Sequence, residues 1–214
     1  MTNASTSSKG PSVDSVPSNG SRTAASTKIV IAGGFGVGKT TLVGAVSEIE
    51  PLTTEALMTS AGQGVDDASK VPGKETTTVA MDFGRITMAD DLILYLFGTP
   101  GQTRFWFMWD ELIRGAVGAA VLVDTRRIAD AFAPLDYFEN RHLPYIVALN
   151  CFDGAPRYEP DEVREALAIP PHVPLVMCDA RHRDSVKGVL VQVVEHAMAT
   201  LVAEQSGGYP AVVG

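Results

Sequence analysis

The chain has 214 residues, of which 45% are hydrophobic and 20% charged, enough apolar material for one domain with its own core. Seventeen Lys and Arg against twenty-five Asp and Glu give a net charge of -8, which argues against nucleic acid as a partner but leaves room for one small phosphate ligand. Two cysteines exclude a disulfide framework, and no apolar run approaches the roughly 18 residues that cross a bilayer, so the expected setting is cytoplasmic and reducing, with no direct membrane insertion. Residues 1–27 are mostly Ser, Thr, Ala, Asn, Gly and Pro and read as a disordered arm, residues 28–204 as one folded unit, and residues 205–214 as a flexible tail. The folded unit opens on a buried strand, Lys28 to Ala32, followed by a glycine-rich turn and a helix from Thr40 to Glu50 that Pro51 closes. Leu52 to Glu75 is polar and without period, which predicts a long loop. Thr77 to Met88 and Asp91 to Phe97 read as a strand hairpin. Ala119 to Val123, Tyr145 to Leu149 and Val173 to Met177 are three further buried strands, separated by helices at Ile128 to Glu139, Asp161 to Leu167 and Ser185 to Glu204. The alternation predicts an α/β fold: a mostly parallel sheet of about six strands with one antiparallel edge hairpin and helices on both faces.

Gly33-Gly34-Phe35-Gly36-Val37-Gly38-Lys39-Thr40 matches the phosphate-loop pattern G-x-x-x-x-G-K-[ST] and lies between a predicted strand and a predicted helix. Glycines let successive backbone N–H groups converge on a phosphate, and the helix start adds the positive end of its dipole. Lys39 is expected between the β and γ phosphates and the Thr40 hydroxyl on Mg²⁺, with Thr41 completing the nucleotide-binding stretch. The pattern points to a nucleoside triphosphate without selecting the base.

The base is indicated further on. Asn150-Cys151-Phe152-Asp153 resembles the N-K-x-D guanine motif of small GTPases, with cysteine in place of lysine. An aspartate there accepts from both N1–H and N2–H of guanine, a donor pair that adenine lacks. Asp179-Ala180-Arg181 stands where small GTPases carry S-A-K, and the Ala180 N–H is expected to meet the guanine carbonyl. Thr78-Val79-Ala80-Met81-Asp82-Phe83 resembles the first switch of Rab-type GTPases. That resemblance gives Thr78 a role on Mg²⁺ and the γ-phosphate, although Thr76 or Thr77 could hold the same register. Phe97-Gly98-Thr99-Pro100-Gly101-Gln102 resembles the second switch, in which Gly101 N–H binds the γ-phosphate and Gln102 orients the attacking water.

From Lys28 to Glu204 the chain resembles bacterial small Ras-like GTPases of the MglA group, most closely the conservon (CvnD-type) GTPases of actinobacteria. The resemblance implies a P-loop small G domain, GTP/GDP and Mg²⁺ as ligands, and signalling through a Roadblock-type protein, together with a membrane sensor kinase that could recruit the protein to the inner face of the membrane. Three departures bear on turnover: Gly98 replaces a Mg²⁺-holding aspartate, Phe35 a small residue beside the γ-phosphate, and Cys151 the motif lysine. They point to slow hydrolysis. Two alternatives are a pseudo-GTPase scaffold that holds nucleotide without turnover and a P-loop small-molecule kinase. The kinase is disfavoured because no clear arginine cluster lies between the later strands. On a helix, Phe105, Trp109 and Leu112 share a core face, which leaves Trp106 as the expected partner-facing aromatic.

Overall fold

The computed structural model describes residues 25–58, 77–89 and 92–206. Residues 1–24 of the expected arm, residues 59–75 of the expected loop, Thr76, Asp90 and Asp91, and residues 207–214 of the expected tail lie outside the described residues. Alternation along β1 (Ala25–Gly33) sets the architecture. Ile29 and Ile31 enter one apolar cluster, Val30 and Ala32 the other, and all four are fully buried because both faces of the sheet are covered. β1 pairs in parallel with β4 (Leu92–Gly98) on one side and β5 (Ala116–Val123) on the other. Beyond β5 come β6 (Tyr145–Asn150) and β7 (Leu175–Cys178), also parallel. On the other flank β3 (Thr77–Ala89) is antiparallel to β4 and to β2 (Leu52–Met58). The order is β2-β3-β4-β1-β5-β6-β7, seven strands.

Three expectations change here. The first seven residues of the expected long loop are a strand, with Leu52 opposite Phe83 and Met58 opposite Thr77. Leu-Thr-Thr-Glu-Ala-Leu-Met has no clean period of two, and it takes its strand state from the ladder offered by β3, a non-local contact. The antiparallel hairpin strand β3 is therefore not the edge; β2 is. Strand β1 also begins at Ala25, within the stretch expected to be an arm.

Helices α1 (Lys39–Val46) and α5 (Arg183–Gln205) pack on one face through Leu42, Val43, Val186 and Leu190. Helices α2 (Trp109–Ile113), α3 (Phe132–Arg141) and α4 (Pro160–Ala166) cover the other through Trp109, Phe138 and Val163. α1 ends well before Pro51: Ser47 leaves helical geometry (φ -57, ψ 135) and its hydroxyl donates to the Ile49 carbonyl at 2.7 Å. By length and composition α5 could cross a membrane, contrary to the reading of the sequence, but Val186, Val189, Leu190, Val193 and Ala197 are its buried side.

A 3-10 helix, Thr103–Met108, precedes α2 where one continuous helix is predicted. Residues i and i+3 eclipse in that geometry, so Trp106 stacks over Trp109 with centroids 5.2 Å apart and packs against the second cluster. Phe105, Trp109 and Leu112 are buried as predicted, but the aromatic left outside is Phe107, 59% exposed, rather than Trp106. The parallel strands β1, β4, β5, β6 and β7 all deliver their C-terminal ends to one edge of the sheet, and the loops there carry the motif residues.

Candidate nucleotide site

The turn after β1 is glycine-rich because other strands press on it. A Cβ on Gly33 (φ +133) would lie 2.5 Å from the Leu122 carbonyl oxygen, and one on Gly38 (φ +108) 2.5 Å from Asn150 Nδ2. Gly34 lies against Asp130, and Gly36 (φ +70) lies beside the Arg127 guanidinium. Val37 is buried under the loop, Phe35 projects outward at 65% exposure, and Thr41 is exposed on α1.

Lys39 opens α1 and is folded back over the loop, its Nζ donating to the carbonyls of Gly33 at 3.0 Å and Gly34 at 2.7 Å. Burial lowers its pKa from 10.5 to about 8, an effect that the charge of Asp82 partly offsets. Gly101 presses on the same spot: a Cβ there would sit 2.8 Å from Lys39 Nζ and 2.8 Å from Phe35 Cα. Only glycine lets the second switch-like segment rest on the phosphate loop. Gln102 caps the 3-10 helix in extended geometry, half-buried, and its carbonyl accepts from Phe105 N–H. Beside it, Thr99 carries a buried hydroxyl without a protein partner.

The Thr40 hydroxyl donates to Asp82 Oδ2 at 2.7 Å. Asp82 is buried on β3 directly opposite Gly98 of β4, and a Cβ on Gly98 would come within 3.0 Å of the Asp82 Cβ and Oδ2. A carboxylate from the neighbouring strand thus stands beside Gly98, and the glycine is what gives it room. A buried carboxylate paired with a hydroxyl is a hard-oxygen donor set, and it fits Mg²⁺, which takes few protein ligands and completes its shell from phosphates and water. Thr78, by contrast, lies on β3 opposite Leu57, four residues before Asp82 and so about 13 Å along the strand. Thr76 lies outside the described residues.

At the far end of the site Asn150, which closes β6, joins two loops. Its Nδ2 donates to the Val37 carbonyl at 2.8 Å and its Oδ1 accepts from Ala180 N–H at 3.0 Å. The Ala180 N–H is therefore already engaged, not open toward a base carbonyl. Asp153 is exposed, and both its oxygens accept from Arg181, at 2.6 and 3.1 Å. Arg181 also grips Asp179, through Nε at 2.9 Å and Nη2 at 2.7 Å. These bonds hold the carboxyls of Asp153 and Asp179 below the usual carboxylate range.

Sequence reasoning passed over Asp82, Arg181 and an arginine pair after β5. Arg127 Nη2 donates to the Phe35 carbonyl at 2.8 Å, while Arg126 pairs with buried Asp124 and lies 3.9 Å over the Phe152 ring. An acidic residue inside an apolar strand was the signal for Asp82. For Arg181 it was an arginine where the resemblance expects lysine.

A family model described as conserved hypothetical ATP binding protein matches residues 31–200. The uncharacterized protein MJ1339 of Methanocaldococcus jannaschii is 33% identical over 128 residues, covering 59% of this chain and 70% of that protein. Among solved structures, the cytosolic domain of the T. maritima FeoB iron transporter in apo form superposes with a TM-score of 0.57 at 18% identity, over 81% of this chain and 64% of that one. The chain thus spans less than two thirds of that domain. The FeoB G-domain from Methanococcus jannaschii superposes with a TM-score of 0.53 at 14% identity over 98% of its length, and the T. maritima domain is also known in a GDP form. The shared architecture is that of a P-loop G domain.

Proposed function

This chain belongs to the family described as conserved hypothetical ATP binding protein, and from that premise we propose that it is a guanine-nucleotide switch, a small GTPase that turns GTP over slowly. The observation that supports the reading is Asn150, three residues before Asp153, which ties the Val37 carbonyl of the phosphate loop to Ala180 of the β7–α5 loop. Phosphates displace the Gly33 and Gly34 carbonyls from Lys39, whose ammonium then neutralises them. Thr40 and Asp82 are the residues that would hold Mg²⁺. When bound, the ion screens phosphate charge and polarises the phosphoryl oxygens. Gln102 follows Gly101, the residue in contact with Lys39 and Phe35, and orients water for attack. Phe35 stands where small GTPases carry a small residue, and that departure supports slow turnover.

An adenine reading has two observations behind it: the family's own description as ATP binding, and Arg181, which occupies the carboxylate that would select guanine. Equilibrium competition on the purified protein separates the two. GDP displaces a labelled guanine nucleotide and ADP at equal concentration does not; a protein that instead holds labelled ATP and releases it to ADP but not to GDP selects adenine. The resemblance to conservon GTPases supports a Roadblock-type partner and a sensor-kinase complex at the inner membrane face, and the exposed Phe107 beside the second switch-like segment is the side chain suited to meet the partner.

A further inference from the structure

Arg181 and guanine carry the same recognition edge. A guanidinium presents two parallel N–H groups to a carboxylate, as the N1–H and N2–H of guanine do. Arg181 makes that fork on Asp153 with Nη1 at 2.6 Å and Nη2 at 3.1 Å, so both oxygens that a guanine would need are taken. The arginine also has a second carboxylate in reach. Asp179 holds its Nε and Nη2, and the Arg181 backbone N–H donates to Asp179 Oδ1 at 3.0 Å, which fixes the turn. Release of Asp153 therefore leaves the Arg181 charge paired.

We propose that Arg181 is an internal competitor for the guanine base, a latch that closes the base end of the site by occupying Asp153 and opens by falling back on Asp179. This rests on the guanine reading of Asp153 given above. A site whose competent form is only a fraction of the population binds its ligand more weakly by that fraction, and base specificity then carries a built-in cost in affinity. The latch acts on guanine alone, because an adenine nucleotide makes no use of the Asp153 carboxylate. Lysine, a point donor without the paired edge, cannot imitate the base, so it closes the latch less well.

The test compares GDP and ADP binding in the full chain, in Arg181→Ala and in Arg181→Lys, by titration and by stopped-flow association of a fluorescent GDP analogue. Removal of Arg181 tightens GDP about fivefold, since exposed ion pairs hold by factors of that order. It also speeds GDP association and leaves ADP unchanged, and Arg181→Lys falls between. Unchanged or weaker GDP binding in Arg181→Ala overturns the latch; a weakening assigns Arg181 to contact with the bound base. If the unaltered protein fails to prefer GDP over ADP and Asp153→Asn is silent, the guanine reading has failed and the latch falls with it.

Discussion

Lys39 has to reconcile burial with charge. Burial holds its pKa at about 8, and a phosphate beside it raises that value again. Below pH 8 the lysine is protonated before and after binding, so affinity is flat in pH as far as this group is concerned. Above pH 8 binding must take up a proton, and GDP affinity falls by up to about tenfold per pH unit. Calorimetry across pH 7 to 9.5 in buffers of different ionisation enthalpy reads both the slope and the proton. The sign for folding is opposite. Between about 8 and 10.5 the unfolded chain holds more protons than the folded one, so the Lys39 contribution to stability rises with pH through that window. Asp82 invites a second test at this scale. Asp82→Asn keeps the shape beside Gly98 and removes the charge; it should weaken GDP binding about tenfold in Mg²⁺ and leave binding in EDTA unchanged, as measured by paired titrations.

The 3-10 helix and α2 divide their aromatics sharply. Trp109 is fully buried, stacks on Trp106 and Phe138, and donates its indole N–H to the Pro100 carbonyl at 3.2 Å, so the segment after β4 hangs on one ring. Trp109→Ala removes that ring and leaves a cavity, and chemical denaturation should register a loss of about 3–5 kcal/mol. Phe107→Ala, in the adjoining 3-10 helix and open to solvent, should move stability by less than about 0.5 kcal/mol. If the Roadblock-type partner docks there, the same substitution weakens the complex at least tenfold in a pull-down titration. Phe107 lies off the i, i+3 line on which Trp106 and Trp109 stack, which is why neighbours in sequence differ so sharply.

Across the molecule, the central strands and the phosphate loop were legible because local pattern and tertiary environment agree. A run such as Tyr145 to Leu149 is apolar on both faces and is buried on both. The strand β2 was not legible, because Glu55 and its neighbours take their ladder from β3 rather than from their own periodicity. The site divides along the same line. Asn150 and Lys39 stand in spaced motifs and could be named from them. Asp82 stands on a different strand, and only its pairing with Gly98 reveals the carboxylate beside that glycine. Arg181 escaped for a related reason: one substitution in a three-residue motif acquires meaning only once Asp153 and Asp179 are seen on either side of it.

Both tryptophans of the chain, Trp106 and Trp109, sit within ten residues of Gly101, in a stacked pair anchored to Pro100. Excited at the red edge of protein absorption, the molecule therefore emits from a single place. Intensity or wavelength changes on mixing with GTP would report the segment against Lys39, free of background from distant indoles. The expected record is a change with GTP that differs from the one with GDP and that decays at the rate of hydrolysis. An emission indifferent to which nucleotide is added would mean the ring pair stays fixed while the site fills.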